Sequence, residues 1–288
     1  MPTPPAANST TDARDYWDTV ADEWTAARPH ALWRRHSDAV NERWLAHALP
    51  AGRAARLLKT DLFDEAVGAG LYPALAARAD AVLGLDLAGA AVAAAARRYP
   101  ALRAVQADVR RLPFADGAFE VIVSNSTLDH FQTLAELRAS LAELRRVLRP
   151  GGTLLLTLDN LANPILALRR VLPFTLLHRL GVLPYHVGAS CGPRGLRRLA
   201  REAGFEVAEL GALLHAPRVL AVALARLLER AGPTTQRRFL RGLRACEPLA
   251  RWPTRYLTGH FVAARLVRPP APASPPGGVA TERSLHAH

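Results

Sequence analysis

The sequence predicts a doubly wound α/β fold, and three spaced observations carry that expectation. A glycine turn, Asp64-Glu65-Ala66-Val67-Gly68-Ala69-Gly70, follows a short apolar run at Leu57-Leu58. Two later apolar runs each end on a carboxylate: Ala81-Val82-Leu83-Gly84-Leu85 on Asp86, and Ala104-Val105-Gln106-Ala107 on Asp108. A fourth run, Phe119-Glu120-Val121-Ile122-Val123, follows the turn signal Asp116-Gly117, and Arg149-Pro150-Gly151-Gly152 leads into a fifth at Thr153–Leu158. Strands alternating with helices in this order gather their carboxyl ends around one crevice, where a nucleoside-containing ligand binds.

The elements follow in order. Residues 1–12, rich in Pro, Thr and Ser, read as a disordered lead. Residues 13–50 form helical stretches, interrupted near Pro29, whose Tyr16, Trp17, Trp24, Trp33 and Trp44 suit anchors on the sheet. Leu71–Ala79 reads as the first crossover helix and Ala88–Tyr99 as the second, stopped by Pro100. Thr133-Leu134-Ala135-Glu136 is a capping box opening a helix that runs to Leu148.

Past Asn160 the pattern changes. Asn163-Pro164 to Gly181 is helical and apolar with flanking arginines, Gly195–Ala203 is a further helix, and Gly204–Leu210 is the sixth strand. Leu220–Ala245 is helical and broken at Gly232-Pro233, and Tyr256–Val267 is the last strand. The domain thus spans 51–268 with helical insertions at about 161–200 and 213–252, before a disordered tail over 269–288.

Composition bounds the function. A chain of 288 residues buries one good core. With only Cys191 and Cys246, far apart, no disulfide framework is expected, and a reducing cytoplasm is the default. No apolar run reaches membrane-spanning length and no secretory signal opens the chain. Between Leu161 and Arg268 there are 18 Arg against 5 Glu and no Asp, an excess of +13 in a chain whose net charge is +12. That half either faces an anionic partner or is a set of solvated helices whose Arg stems cover apolar surface.

The candidate site begins at the turn. Gly68 and Gly70 allow close backbone approach, and a helix from Leu71 aims its free N–H groups there. Asp86 is placed to accept both hydroxyls of a ribose, and Asp108 an adenine amino proton, with the Val109 N–H for a ring nitrogen. A dinucleotide fingerprint wants a third glycine where Pro73 stands. Asp61, Asp64 and Glu65 at the turn repel a pyrophosphate and suit an ammonium and a sulfonium. The turn chemistry therefore favours S-adenosylmethionine over NAD. Metal binding is not expected, since the histidines lie singly and neither cysteine has a paired neighbour.

Two stretches carry a family resemblance: Ala107-Asp108-Val109-Arg110-Arg111-Leu112-Pro113-Phe114 through Ile122, and Leu141–Leu154 with its Arg149-Pro150-Gly151-Gly152. Residues from about Leu57 to Asn160 resemble a class I S-adenosylmethionine-dependent methyltransferase of the ubiquinone/menaquinone-biosynthesis type (methyltransferase type 11). The resemblance implies a Rossmann-like seven-stranded sheet, a lid made by residues 13–50, and cofactor contacts at Asp61, Asp64, Glu65, Gly68, Gly70, Asp86, Leu87, Asp108, Val109 and Ser124. The family's first motif is an acid followed by three alternate glycines. Here that acid is Asp64, with Ala66 replacing the first glycine, or Asp61, beside the chain's one lysine, Lys59.

For chemistry, His130 after the fourth strand is the candidate base with Asp129 beside it, and Asp159, Asn160, Tyr185 and His186 are candidate substrate contacts. The expected function is biosynthetic methyl transfer to a small-molecule or lipid-like acceptor. Peripheral contact with an anionic membrane is a further expectation from the cationic, apolar insertions. A noncatalytic binding or scaffold role is the alternative, motivated by the altered first motif. Nucleic-acid methylation fits less well, because the arginines are interleaved with aliphatics and not with an aromatic stacking platform.

Overall fold

The computed structural model describes residues 10–27, 30–173, 176, 179 and 188–270. Seven strands form one sheet in the order β3-β2-β1-β4-β5-β7-β6. They are β1 (Ala54–Lys59), β2 (Ala79–Asp86), β3 (Arg103–Gln106), β4 (Phe119–Asn125), β5 (Leu148–Asp159), β6 (Glu206–Leu213) and β7 (Phe261–Val267). The first five pair in parallel, and β7 inserts antiparallel between β5 and β6. The strand order reverses between β1 and β4, which opens the crevice at their carboxyl ends.

The central strands are buried on both faces: Leu57, Leu58, Ile122, Val123 and Leu154 to Leu156 are all inaccessible. This is what helices on both sides of a parallel sheet require. Helix α6 (Leu134–Val147) shows how the sequence drives that layer, since Leu137, Leu141, Leu144 and Val147 recur at helical spacing and are fully buried. Its start is fixed by Thr133, whose hydroxyl accepts from the Glu136 N–H while Glu136 reaches back to the Thr133 N–H.

Four expectations need correction. Helix α1 (Thr10–Ala27) begins inside the stretch read as a disordered lead. The first crossover is two short helices, α3 (Phe63–Val67) and α4 (Tyr72–Ala76), and Ala79 already belongs to β2. Pro73 can sit only in a first turn, and Ala77 and Arg78 after α4 close the chain onto β2. Helix α7 (Pro164–Val171) ends at Leu172-Pro173, and most of the expected helical stretch from there to Gly181 lies outside the described residues. The last strand starts at Phe261, because a short helix over Arg255–Thr258 precedes it.

The N-terminal segment supplies α1 and α2 (Ala31–Ala48). Val20 and Ala21 of α1 pack on α3 and on α5 (Gly89–Arg98). Past β5 come α7, α8 (Pro193–Glu202), α9 (Arg218–Leu228) and α10 (Pro233–Arg244). Ala221 and Ala225 of α9, with Leu240 and Leu243 of α10, share a core with Leu32, Trp33 and Val40 of α2. The helical insertion therefore folds back on the N-terminal segment and encloses space above the carboxyl ends of the strands. Among the described residues no helix is long and apolar enough to cross a membrane.

Candidate active site

The enclosed space is a cavity of about 990 Å³. It is at the upper end of what small-ligand sites occupy, about 300–1,000 Å³, and has room for two molecules. One end is the crevice of the sheet, lined by Thr60, Asp61, Asp64, Asp86, Asp108 and Asn125; the other is walled by α2, α7 and α9.

The sheet end is acidic. Asp86 ends β2, where its two oxygens accept the N–H groups of Leu62 and Ala88, each at 2.9 Å. Each oxygen keeps a second lone pair for a ligand. Burial first, then the neighbouring Asp61, push the Asp86 pKa up to about 7. Asp108 is held by Arg110, which also reaches Glu136. Arg34 of α2 pairs with Asp64 at 3.0 Å, and Asp38 is raised to about 7, by burial and then by Asp64. Leu87 and Val109 line the same end.

The glycine turn is built differently from the expectation. Glu65 turns inward, wholly buried, and its Oε1 accepts the N–H groups of Leu71 (2.8 Å) and Tyr72 (3.0 Å). These are the helix-terminal donors that a ligand was expected to use, and α4 is only five residues long. Gly70 has φ +60°, and a Cβ there would lie 2.6 Å from the Glu65 carboxyl carbon. The glycine thus makes room for the chain's own carboxylate. Lys59, at the end of β1, completes the arrangement. Its Nζ lies 2.9 Å from both Asp61 Oδ2 and Glu65 Oε2, with 1 % of its side chain exposed. Burial alone would lower that ammonium's pKa, but Asp61, Glu65 and Asp64 together raise it.

The expected site residues therefore divide. Asp61, Asp64, Asp86, Leu87, Asp108, Val109 and His130 line the cavity; Glu65, Gly68, Gly70 and Ser124 do not. Ser124 is fully buried and accepts from the Thr60 hydroxyl. His130 meets Trp17 edge-on, with ring centroids 4.8 Å apart. Asp129 precedes it in the chain and lies near enough for the two groups to interact electrostatically. Its carboxylate accepts the Ser126 hydroxyl and the Asp159 N–H, and burial raises it to about 6. Asn160 is also internal and caps the Tyr256 and Gly259 carbonyls. Asp159 sits behind the wall, paired with Arg169. Tyr185 and His186 lie outside the described residues.

Sequence reasoning missed Arg34, Asp38, His30, Arg169, Arg218 and Arg226, all of which line the cavity. His260 lines it too and lies 2.6 Å from Arg218 Nη1. The only available signal was the arginine excess itself, which does not say which arginines turn inward.

Residues 63–156 match the family model described as a methyltransferase domain. The seven-stranded sheet around them has the fold of class I methyltransferases. The chain is 33% identical over 124 residues to a demethylmenaquinone methyltransferase of Beutenbergia cavernae, covering 43% of this chain and 45% of that one. To a malonyl-[acyl-carrier protein] O-methyltransferase of Enterobacter lignolyticus it is 35% identical over 144 residues, 48% of this chain and 52% of the relative. The chain thus spans about half the length of these curated relatives. The fold extends further. The [4+2]-cyclase SpnF aligns with a TM-score of 0.60 at 17% identity, covering 93% of this chain and 98% of that one. The geranyl diphosphate C-methyltransferase of Streptomyces coelicolor A3(2) aligns at 0.53 and 16% identity, covering 80% and 79%.

S-adenosylmethionine is the cofactor that this domain family uses. The residues present fit it. Asp86 offers a ribose acceptor at the end of β2, Asp108 and Val109 stand at the end of the next strand, and the acid-rich mouth of Asp38, Asp61 and Asp64 suits a sulfonium and an ammonium. A pyrophosphate does not fit, since the helix-terminal amides that would bind it are occupied by Glu65.

Proposed function

We propose that this chain transfers a methyl group from S-adenosylmethionine to a small-molecule or lipid-like acceptor in a biosynthetic reaction. One observation carries the reading: a single cavity joins the acid-lined sheet crevice to an apolar wall of Ile165, Leu166, Leu172, Leu214 and Val222. A cofactor at one end and an apolar acceptor at the other would meet within it. The bound cofactor supplies an electrophilic methyl carbon. The protein's work is to align the partners and exclude water.

His130 lines the cavity, held against Trp17, and serves in this reading as the base that takes the proton from an oxygen or nitrogen acceptor. Asp129 supports the loop that carries it. Ile165 and Leu168 of α7 and Val219 and Leu220 of α9 are more than half exposed at the rim, which suits a lipid surface from which an acceptor is drawn.

Calorimetric titration with S-adenosylmethionine, S-adenosylhomocysteine and NAD tests the cofactor. Binding of the first two and not NAD is expected, and Asp86→Asn should weaken it about 10–100-fold, the scale of hydrogen bonds to a charged acceptor. Absence of binding would leave a noncatalytic role on this fold as the better account. His130→Gln should leave cofactor affinity unchanged and lower the rate with an oxygen or nitrogen acceptor.

A further inference from the structure

The cavity is electrically two-ended. Its arginines divide into those with a carboxylate partner and those without. Arg34 has Asp64, Arg110 has Asp108 and Glu136, and Arg169 has Asp159. Arg218 and Arg226 have none within 4 Å among the described residues. Each instead meets a histidine. Arg218 Nη1 lies 2.6 Å from His260 Nε2, and the Arg226 guanidinium lies 3.3 Å from both ring nitrogens of His30.

Both imidazoles are held neutral. Burial, then Arg218, pushes His260 down to about 3; burial, then Arg226, Arg218 and Arg34, pushes His30 down to about 4. His30 is 8 % exposed and has φ +61°, so the chain holds it in a left-handed conformation at the start of α2 with guanidinium groups around it. A solvated helix face explains arginines such as Arg237 and Arg241. It does not explain two cations set against neutral rings in a cavity wall.

We propose that Arg218 and Arg226 form an anion-binding subsite that takes the carboxylate or phosphate head group of an amphiphilic acceptor. They stand two turns apart on α9, about 12 Å along the axis, and line one cavity. The neutral rings of His30 and His260 fix the guanidinium planes without satisfying their charge. Asp159, already shared by Arg169 and touching His260, leaves the Arg218 end with a net positive charge. The apolar body lies along Ile165, Leu168, Val219 and Leu220. This assignment rests on the methyl-transfer reading for its role as an acceptor site, but its charge chemistry is independent of that reading.

The test uses the full chain with saturating S-adenosylhomocysteine. Decanoate, decyl phosphate and decanol are titrated below their critical micelle concentrations, and fluorescence of the cavity tryptophans Trp17, Trp24 and Trp33 is followed. The anions should bind about tenfold tighter than decanol or better, as charge-assisted hydrogen bonds require. Arg218→Gln and Arg226→Gln should each lower anion affinity about tenfold and leave decanol unchanged, while Arg218→Lys keeps part of the preference. A preference between the anions then tells phosphate from carboxylate. Decanol binding as tightly as the anions, no saturable binding of either anion, or Gln variants equal to the parent would overturn the proposal. Titration with S-adenosylhomocysteine alone reads the sheet end. A chain that binds decanoate but not that nucleoside loses the methyltransferase reading and keeps the anion site.

Discussion

Lys59 ends β1, just ahead of the glycine turn, and it is the chain's one lysine. Its ammonium is buried between Asp61 and Glu65, so removing it strands Glu65 in the interior. Lys59→Met should cost about 3–5 kcal/mol of stability, the scale for breaking a buried pair from one side. The double variant Lys59→Met/Glu65→Gln should recover much of that loss, and urea unfolding of both checks it. An equal or larger loss in the double variant would show that Glu65 stabilises mainly through the amides of Leu71 and Tyr72. Asp86 and Asp108 were legible in the sequence because a carboxylate ending an apolar run has few other uses. Glu65 was not, because sequence spacing alone does not distinguish an acid facing a ligand from one folded into its own turn.

Helices α7 and α9 carry the apolar residues that the sheet does not cover. Leu168 and Leu220 are each 59 % exposed, with arginines on the same helices. If this rim meets a bilayer, the protein should sediment with vesicles containing anionic lipid at low salt and be released as salt rises, since electrostatic attraction is screened within about 10 Å at 0.1 M. Replacing Leu168 and Leu220 with Ser should reduce sedimentation at all salt concentrations, and no sedimentation of the parent chain would remove the membrane reading. The helical character of these segments was readable from Leu and Arg periodicity, and α6 was readable from its cap. Which faces turn outward was not. That depends on α9 and α10 packing on α2, a contact between segments nearly 200 residues apart.

Proton linkage acts on the whole molecule. Burial is the first cause that raises Asp38, Asp86 and Asp129, to about 7, 7 and 6. Each keeps a proton in the fold that the unfolded chain releases near pH 4, so stability falls as pH rises towards the folded values. His30 and His260 act oppositely. Pushed to about 4 and 3, they are neutral in the fold while the unfolded rings hold protons below about 6.5, so their contribution rises with pH up to that point and is then constant. The two effects oppose each other below pH 6.5, and only the acids remain above it. The apo protein's Tm should therefore fall between pH 6.5 and 8.5, and Asp38→Asn should flatten the slope in differential scanning fluorimetry. A Tm that rises across this window would contradict the titration of these acids. None of this was legible from composition, because desolvation belongs to the assembled cavity and not to any one segment.

The direction of β7 has a practical corollary for anyone attaching the molecule to something else. Phe261 pairs with Asp159 at the cavity end of β5, and Val267 pairs with Thr153 at the opposite end. The backbone therefore leaves β7 on the far side of the sheet from the mouth, whereas Ala13, early in α1, lines the cavity itself. A surface tether, fluorophore or fusion joined after β7 leaves the opening unobstructed, and one joined ahead of α1 stands beside it.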